Sequence, residues 1–318
     1  MAETADFDPG PWRGHDFKDA RKAYDKHAGR SYSEATTKGV VAKDLVPNGL
    51  TTDSENPLVV LCDVTGSMGE WPGVIFSKLP YLDIEGKSYL GPTMETSFGA
   101  IGDAHKGDTY PLQVRQFDKG QKLSDHLKAL VIEGKGGNDH CESYELAALY
   151  YARKVQMPAA KGKPIMIFIG DEGLHDYVTK AMAADIHVRL TEARIDTPDI
   201  FKELTRKFSV YVVRKPYGDS YERIIHQQWE KLIGEDHVLM LPGADRVVDV
   251  IFGILAHETG KVDYFREELE GRQKPEQVAT VYKSLQTIHA LPPKTPKKKG
   301  MSVMHLPEGK KTKGLLNK

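Results

Sequence analysis

The stretch Leu58-Val59-Val60-Leu61-Cys62-Asp63-Val64-Thr65-Gly66-Ser67-Met68 decides the fold that this sequence predicts. Its first five residues are all apolar, which is typical of a β-strand buried on both faces. From Asp63 onward the residues are mostly polar or small, which indicates that the strand ends there in a tight turn. The stretch therefore predicts a central strand of a covered sheet, with an acidic turn at its carboxyl end.

Similar apolar runs alternate with helical patterns along the chain. We predict strands at 165–169, 209–213 and 237–241, and less uniformly apolar ones at 96–101 and 111–117. Helices are predicted at 142–155, 221–232, 247–255, 262–271 and 275–289. Alternating strands and helices form βαβ units, so we expect an α/β fold with a doubly wound, mostly parallel sheet and helices on both faces.

Composition divides the chain into four parts. Residues 1–57 are an N-terminal extension with one short amphipathic helix predicted at 16–28, and residues 58–260 are the α/β domain. Residues 261–291 are a C-terminal helical extension. Residues 292–318 contain eight lysines and one glutamate and are expected to form a flexible tail. Because the basic charge is concentrated there, contact with nucleic acid is only a weak alternative.

The overall composition excludes several classes of protein. The chain has 318 residues, of which 40% are hydrophobic and 28% charged, and this is ordinary for a globular protein. Its two cysteines cannot form a disulfide framework. Its N-terminus lacks the pattern of a secretory signal, and no apolar run is long enough for a membrane span. We therefore expect a cytoplasmic protein without membrane contact.

Carboxylates and hydroxyls follow the predicted strands at one edge of the sheet. Asp63, Thr65 and Ser67 follow the first strand, Asp171 follows the strand at 165–169, and an acidic loop at 136–143 precedes a buried helix. In open α/β sheets ligands bind at the carboxyl ends of the strands. Oxygen ligands suit a hard divalent cation, so these loops predict a site for Mg²⁺, or for Mn²⁺ or Ca²⁺.

These three loops resemble the metal-ion-dependent adhesion site (MIDAS) of von Willebrand factor A (VWA) domains. The turn Asp63-Val64-Thr65-Gly66-Ser67 is similar to the family's Asp-x-Ser-x-Ser motif. GGNDHCES at 136–143 resembles its Gly-Gly-x-Asp-x-x-Glu-Ser loop, and FIGDE at 168–172 resembles its third loop. The resemblance covers about residues 55–260 and is to the intracellular bacterial and phage members.

The resemblance implies a role for each matched residue. Thr65 and Ser67 would bind the metal through their hydroxyls, and Asp63 and Asp171 would hold it directly or through water. In the second loop, where the family commonly has a threonine, Asp139 is the expected ligand. Asn138 and Glu142 are the alternatives in that loop.

The resemblance also implies a function without catalysis. In this family the metal accepts a carboxylate from a partner protein, and many intracellular members are thought to be adaptors beside AAA+ ATPases of the MoxR type. We therefore expect a metal-dependent protein-binding module or adaptor that is not an enzyme. One alternative is a structural or assembly protein whose fold binds partners without the metal. A metal-dependent phosphohydrolase is a lesser alternative.

Other enzyme classes fit the residues poorly. Haloacid-dehalogenase-like enzymes need a second acid two residues after the first, and position 65 is a threonine. A receiver domain needs a lysine after a late strand, for which Lys215 is the only candidate. The Gly86-Lys87-Ser88 sequence lacks the preceding glycine of a phosphate-binding loop, because position 81 is a tyrosine.

Overall fold

A computed structural model describes residues 45–69, 71–79, 81–132 and 140–288. The predicted helix at 16–28 and the basic tail at 292–318 lie outside these residues. The strands are β1 (Leu50–Thr51), β2 (Leu58–Asp63), β3 (Thr96–Ile101), β4 (Leu112–Val114), β5 (Cys141–Glu142), β6 (Val155–Gln156), β7 (Ile165–Gly170), β8 (Gly173–Leu174), β9 (Tyr177–Thr179), β10 (Arg194–Asp196), β11 (Ser209–Arg214) and β12 (Val238–Met240). The α-helices are α1 (Trp71–Lys78), α2 (Tyr81–Leu90), α3 (Gln121–Lys128), α4 (Tyr144–Lys154), α5 (Lys180–Asp185), α6 (Thr197–Lys207), α7 (Glu222–Ile233), α8 (Val247–Thr259), α9 (Val262–Arg272) and α10 (Pro275–Ser284).

The central sheet of the described chain has six strands in the order β12-β11-β7-β2-β3-β4. Each neighbouring pair is parallel except β3 and β4, which are antiparallel at one edge. The strands predicted from apolar runs are confirmed, although those at 111–117 and 237–241 are each only three residues long. The prediction of an α/β fold with a mostly parallel sheet is therefore confirmed.

Alternate residues of β2 belong to two separate hydrophobic cores. Leu58 and Val60 pack in one core with helices that include α8, and Val59 and Leu61 pack in the other with helices that include α4 and α6. Successive side chains of a strand point to opposite faces of the sheet. All six residues of β2 are buried, because helices cover the sheet on both faces at this strand.

The residues just before β2 pack against the domain. Leu50 of β1 pairs in parallel with Val155 of β6, and Leu50 is fully buried. Val46 lies in the same hydrophobic core as Val59 and Leu61 of β2. The last part of the predicted N-terminal extension, from residue 45 onward, therefore has tertiary contacts with the α/β domain.

Membrane-spanning helices are absent from the described residues. None of their helices combines the length and the apolar character needed to cross a bilayer.

Candidate metal centre

The candidate site lies where the chain changes direction in the sheet. From β2 the chain adds β3 on one side, and β7 later pairs with β2 on the other side. Such a switch point opens a crevice at the carboxyl ends of the strands. Asp63 is the last residue of β2, and Asp171 directly follows β7. Adjacent parallel strands therefore bring together two carboxylates that are 108 positions apart in the sequence.

The turn after β2 is held by Asp63. Its Oδ1 accepts hydrogen bonds from the backbone N of Thr65 at 2.8 Å and from the Thr65 hydroxyl at 2.6 Å. Gly66–Met68 then form one turn of 3₁₀ helix, which places the Ser67 hydroxyl 3.3 Å from that of Thr65. The sequence Asp-x-Thr-x-Ser thus brings three side-chain oxygens together within one turn.

Ser67 joins this turn to the loop after β7. Its hydroxyl donates to Oδ1 of Asp171 at 2.9 Å. Asp63 and Asp171 are both buried, whereas Ser67 is exposed, so the cluster opens to solvent at the serine. The structure therefore brings Asp63, Thr65, Ser67 and Asp171 into one hydrogen-bonded cluster.

Tyr144, the first residue of α4, holds the other oxygen of Asp63. Its hydroxyl donates to Oδ2 of Asp63 at 2.6 Å and is fully buried. Gly170, the last residue of β7, makes room for this contact. A Cβ at that position would lie 1.9 Å from the Tyr144 hydroxyl oxygen, so only glycine fits there without a shift.

Two buried glutamates add two further acidic groups to the cluster. Glu142 in β5 and Glu172 after β7 are each at most 4% exposed, and Oε2 of each has no hydrogen-bond partner in the described structure. Burial, followed by the charges of Asp63 and Glu172, raises the pKa of Glu142 to about 12. Burial, followed by the charges of Asp63 and Asp171, raises the pKa of Glu172 to about 8.

Asp63 is affected in the same way. Burial and then the charge of Asp171 raise the pKa of Asp63 to about 7, although the hydrogen bonds from Thr65 and Tyr144 lower it. Carboxyl groups whose pKa values rise because they are crowded and buried are stabilised by a cation placed among them.

Two cationic side chains reach the cluster from the end of β11. Lys215 Nζ lies 3.1 Å from Oδ2 of Asp171 and also donates to the carbonyl oxygen of Ser67. Arg214 is fully buried and donates to the backbone oxygen of Asp171 at 2.9 Å and to Oε1 of Glu222 at 2.7 Å. The carboxylate of Asp171 therefore has one lysine as its cationic partner, while Arg214 holds the loop backbone.

The donor atoms fit a hard divalent cation. No three His, Cys, Asp or Glu side chains of the described chain are placed so that they alone could hold a metal ion. The cluster instead combines two carboxylates with the hydroxyls of Thr65 and Ser67, and all of these donors are oxygens. The two unpartnered oxygens of Glu142 and Glu172 show that hydrogen bonds within the described structure do not satisfy all of the surrounding acidic groups. Mg²⁺, Mn²⁺ and Ca²⁺ prefer oxygen donors.

The structure places the predicted residues unequally. Four of the five predicted ligands lie together, namely Asp63, Thr65, Ser67 and Asp171. Asp139 and the alternative Asn138 lie outside the described residues, so the second-loop ligand is still a prediction. Glu142, the other alternative in that loop, is buried beside the cluster.

The sequence pattern does not mark Tyr144 or Glu172 as members of the site. Tyr144 follows the Glu-Ser end of the second-loop motif, and only the approach of α4 to β2 shows its contact with Asp63. The sequence offers Lys215 only as a candidate for the lysine of a receiver domain, a class that needs acids at other positions. Asp171, in the third-loop motif, is the residue whose negative charge points to a cationic partner such as Lys215.

Comparisons with known proteins add little to this geometry. No family model matches the chain, and no curated protein matches it. Two solved structures of the pilus adhesin SpaC from Lactobacillus rhamnosus GG, one of them an open conformation, are similar to 68% of this chain with 12% sequence identity and a TM-score of 0.44. The chain spans about a third of the adhesin, 32% in one structure and 31% in the other. A likeness this distant carries no argument about function.

Proposed function

We propose that this chain is a metal-dependent protein-binding module of the VWA type, with a doubly wound sheet and a MIDAS at the carboxyl ends of β2 and β7. Asp63, Thr65, Ser67 and Asp171 would hold Mg²⁺, or Mn²⁺ or Ca²⁺, and Asp139 would complete the set from the second loop. The observation that carries the proposal is the hydrogen-bonded cluster that joins Asp63, Thr65, Ser67 and Asp171 across two strands.

The residues of the site would have different roles in binding a partner. When bound, the metal would supply an electrophilic position that accepts an Asp or Glu side chain from the partner. Asp63 and Asp171 are fixed by Thr65, Tyr144 and Ser67, so little side-chain entropy is lost when a ligand is bound. Ser67 is exposed at the opening of the cluster, where a partner would approach.

The partner itself is identified only by its chemistry, an exposed carboxylate. The proposal that a MoxR-type AAA+ ATPase is part of the assembly rests on the sequence resemblance alone. Contact of the tail at 292–318 with nucleic acid rests on its charge alone.

Thermal melting of four forms of the protein tests the metal site. Wild type should melt several degrees higher with Mg²⁺ than with EDTA, because a ligand at about 100 times its Kd stabilises the folded state by roughly 2.7 kcal/mol. Ser67→Ala should lose most of this shift. Ser209→Ala is the matched control, because Ser209 also donates to a carboxylate, that of Glu258. Ser209 is the first residue of β11 and so lies at the amino ends of the parallel strands, away from the site. Asp139→Asn should behave like Ser67→Ala if Asp139 is a ligand.

A second candidate function is a structural protein that uses other surfaces. It is supported by Tyr144 and Lys215, whose side chains hold Asp63 and Asp171 from within the protein. Partner capture from the native cell with and without EDTA separates the two functions. Loss of the partner in EDTA supports the binding module, whereas a lower melting temperature with the partner retained supports the structural role. Metal-dependent hydrolysis of a generic phosphoester would support the phosphohydrolase instead.

A further inference from the structure

Lys215 occupies an unusual place in the candidate site, because its positive charge lies among groups that would face a metal. It follows β11 directly, and its backbone N donates to the carbonyl oxygen of Gly170 at 2.9 Å. This bond fixes the start of the side chain beside β7. The ammonium then reaches both loops of the cluster, with Asp171 Oδ2 at 3.1 Å and the carbonyl oxygen of Ser67 as its acceptors.

The surroundings allow this side chain to move. The Lys215 side chain is 25% exposed, whereas that of Asp171 is 2% exposed. Lysine has a flexible four-carbon stem and a compact charge. The neighbouring Arg214 is fully buried and bonded to Glu222 and to the Asp171 backbone, so it does not have this freedom.

We propose that Lys215 is a tethered cation that competes with the divalent metal for Asp171 and lowers the metal affinity of the site. This inference rests on the proposed function. Two cations that share one carboxylate at close range repel each other, and the repulsion is strong where burial reduces screening by water. The ammonium must therefore either leave Asp171 or weaken the metal bound beside it.

The competition has a consequence for partner binding. A partner that brings a carboxylate adds negative charge at the same opening, and this charge attracts both cations. Metal and acidic partner then bind more tightly together than separately, which is positive coupling between two ligands. In the metal-free protein, the same lysine neutralises Asp171 and holds the two loops together.

Titration calorimetry of metal-stripped protein with MgCl₂ and MnCl₂ tests this inference. Lys215→Met removes the charge and keeps the apolar stem, and we expect it to bind the metal roughly tenfold more tightly than wild type. Lys215→Arg keeps the charge and should stay close to wild type. Lys161→Met is the matched control, since Lys161 also pairs with a carboxylate, that of Glu55, at 2.7 Å. Lys161 precedes β7 and so lies at the amino end of that strand, away from the site. This variant also removes one positive charge, and its metal affinity should not change.

Melting temperatures supply a second measurement. In EDTA, Lys215→Met should melt below wild type and below Lys161→Met, because Asp171 has lost its cationic partner. In excess Mg²⁺ this difference should disappear or reverse.

Each other outcome overturns the inference in a recognisable way. Equal or weaker metal binding by Lys215→Met, with normal binding by wild type, shows that Lys215 does not compete, and the metal site itself stands. Absence of metal binding in both wild type and Lys215→Met overturns the metal site and this inference together. Equal tightening in Lys161→Met assigns the effect to net charge rather than to contact with Asp171.

Discussion

Tyr144 donates its hydroxyl to Oδ2 of Asp63 at 2.6 Å, and so the first residue of α4 supports the last residue of β2. The tyrosine ring packs edge-on against Phe168 and Trp229, with centroid distances of 6.0 Å and 5.1 Å. The ring is therefore held by the apolar core, and its hydroxyl is aimed at the carboxylate. The orientation of Asp63 depends on a helix whose own position is fixed by packing.

Removing this hydroxyl should destabilise the protein without disturbing the core. At pH 8, above the raised pKa of Asp63, we expect Tyr144→Phe to lower the free energy of unfolding by about 1.5–3 kcal/mol, the range for a hydrogen bond to a charged group. Tyr150→Phe is the control on the same helix, because the Tyr150 hydroxyl donates at 2.8 Å to a neutral acceptor, the carbonyl of Pro47. Its loss should be about 1 kcal/mol. Urea unfolding measures both, and equal losses would contradict a charged Asp63 as the acceptor.

Stability without metal should fall as the pH rises. The pKa values of Asp63 and Glu172 are raised to about 7 and about 8 in the folded protein, from ordinary values of 3.8 and 4.5. Between the ordinary and the raised values the folded state binds more protons than the unfolded state, so the free energy of unfolding decreases with pH. Melting temperatures in EDTA should therefore decline from about pH 5 to pH 8.

Divalent metal should suppress this decline, because it replaces the protons on the same carboxyl groups. The same series of melts with saturating Mg²⁺ makes the comparison, and Glu172→Gln in EDTA should show a shallower slope than wild type. A decline that is as steep with Mg²⁺ as with EDTA would argue against a metal among these carboxylates.

Gly170 should tolerate no side chain while Tyr144 keeps its position. A Cβ there would lie 1.9 Å from the hydroxyl oxygen and 2.8 Å from Cζ of Tyr144, and overpacking of this kind costs about 1–3 kcal/mol or more. We expect Gly170→Ala to be destabilising and to lower metal affinity, because the tyrosine must leave Asp63. Combined with Tyr144→Phe the loss should be smaller than the sum of the two single losses.

Gly271 in α9 is the matched control for this substitution. Among the described residues, no atom beyond its chain neighbours and the backbone of its own helix lies within 4 Å of a Cβ at that position, and the residue is helical. Gly271→Ala should therefore stabilise the protein by about 0.4–1 kcal/mol. Chemical denaturation measures the free energy of unfolding of both variants. Similar changes in the two would show that contact with Tyr144 does not exclude a side chain at position 170.

The strands that carry the site could be predicted because each is an uninterrupted apolar run. Cys62 and Ile169, which pair across β2 and β7, end such runs, and the polar residues after them mark the carboxyl ends of the strands. Asp63, Thr65 and Ser67 could be predicted as a group since one short turn contains them all. Asp171 could be predicted because the sheet order of parallel strands places its loop beside theirs.

Other parts of the fold depend on contacts that are distant in sequence. The helices α2 and α6 were not predicted, although Thr197–Lys207 has a proline in its first turn and buries Ile200, Phe201 and Leu204. The apolar residues of that segment are few, and their role is clear only when α4 packs against them. The contact of Tyr144 with Asp63 depends on Gly170 in β7, and no local sequence pattern predicts this contact.

The pairing of β2 with β7 also determines when the site can form. Leu58 pairs with Ile165 and Cys62 with Ile169, so the register that brings Asp63 near Asp171 closes a loop of more than a hundred residues. Pairings this distant in sequence form late and slowly during folding. During synthesis the first half of the chain contains four of the five proposed ligands, Asp63, Thr65, Ser67 and Asp139, whereas Asp171 follows in the second half. A divalent ion at the proposed site would therefore find its complete set of ligands only after β2 and β7 have paired, and it would then slow the opening of the assembled sheet.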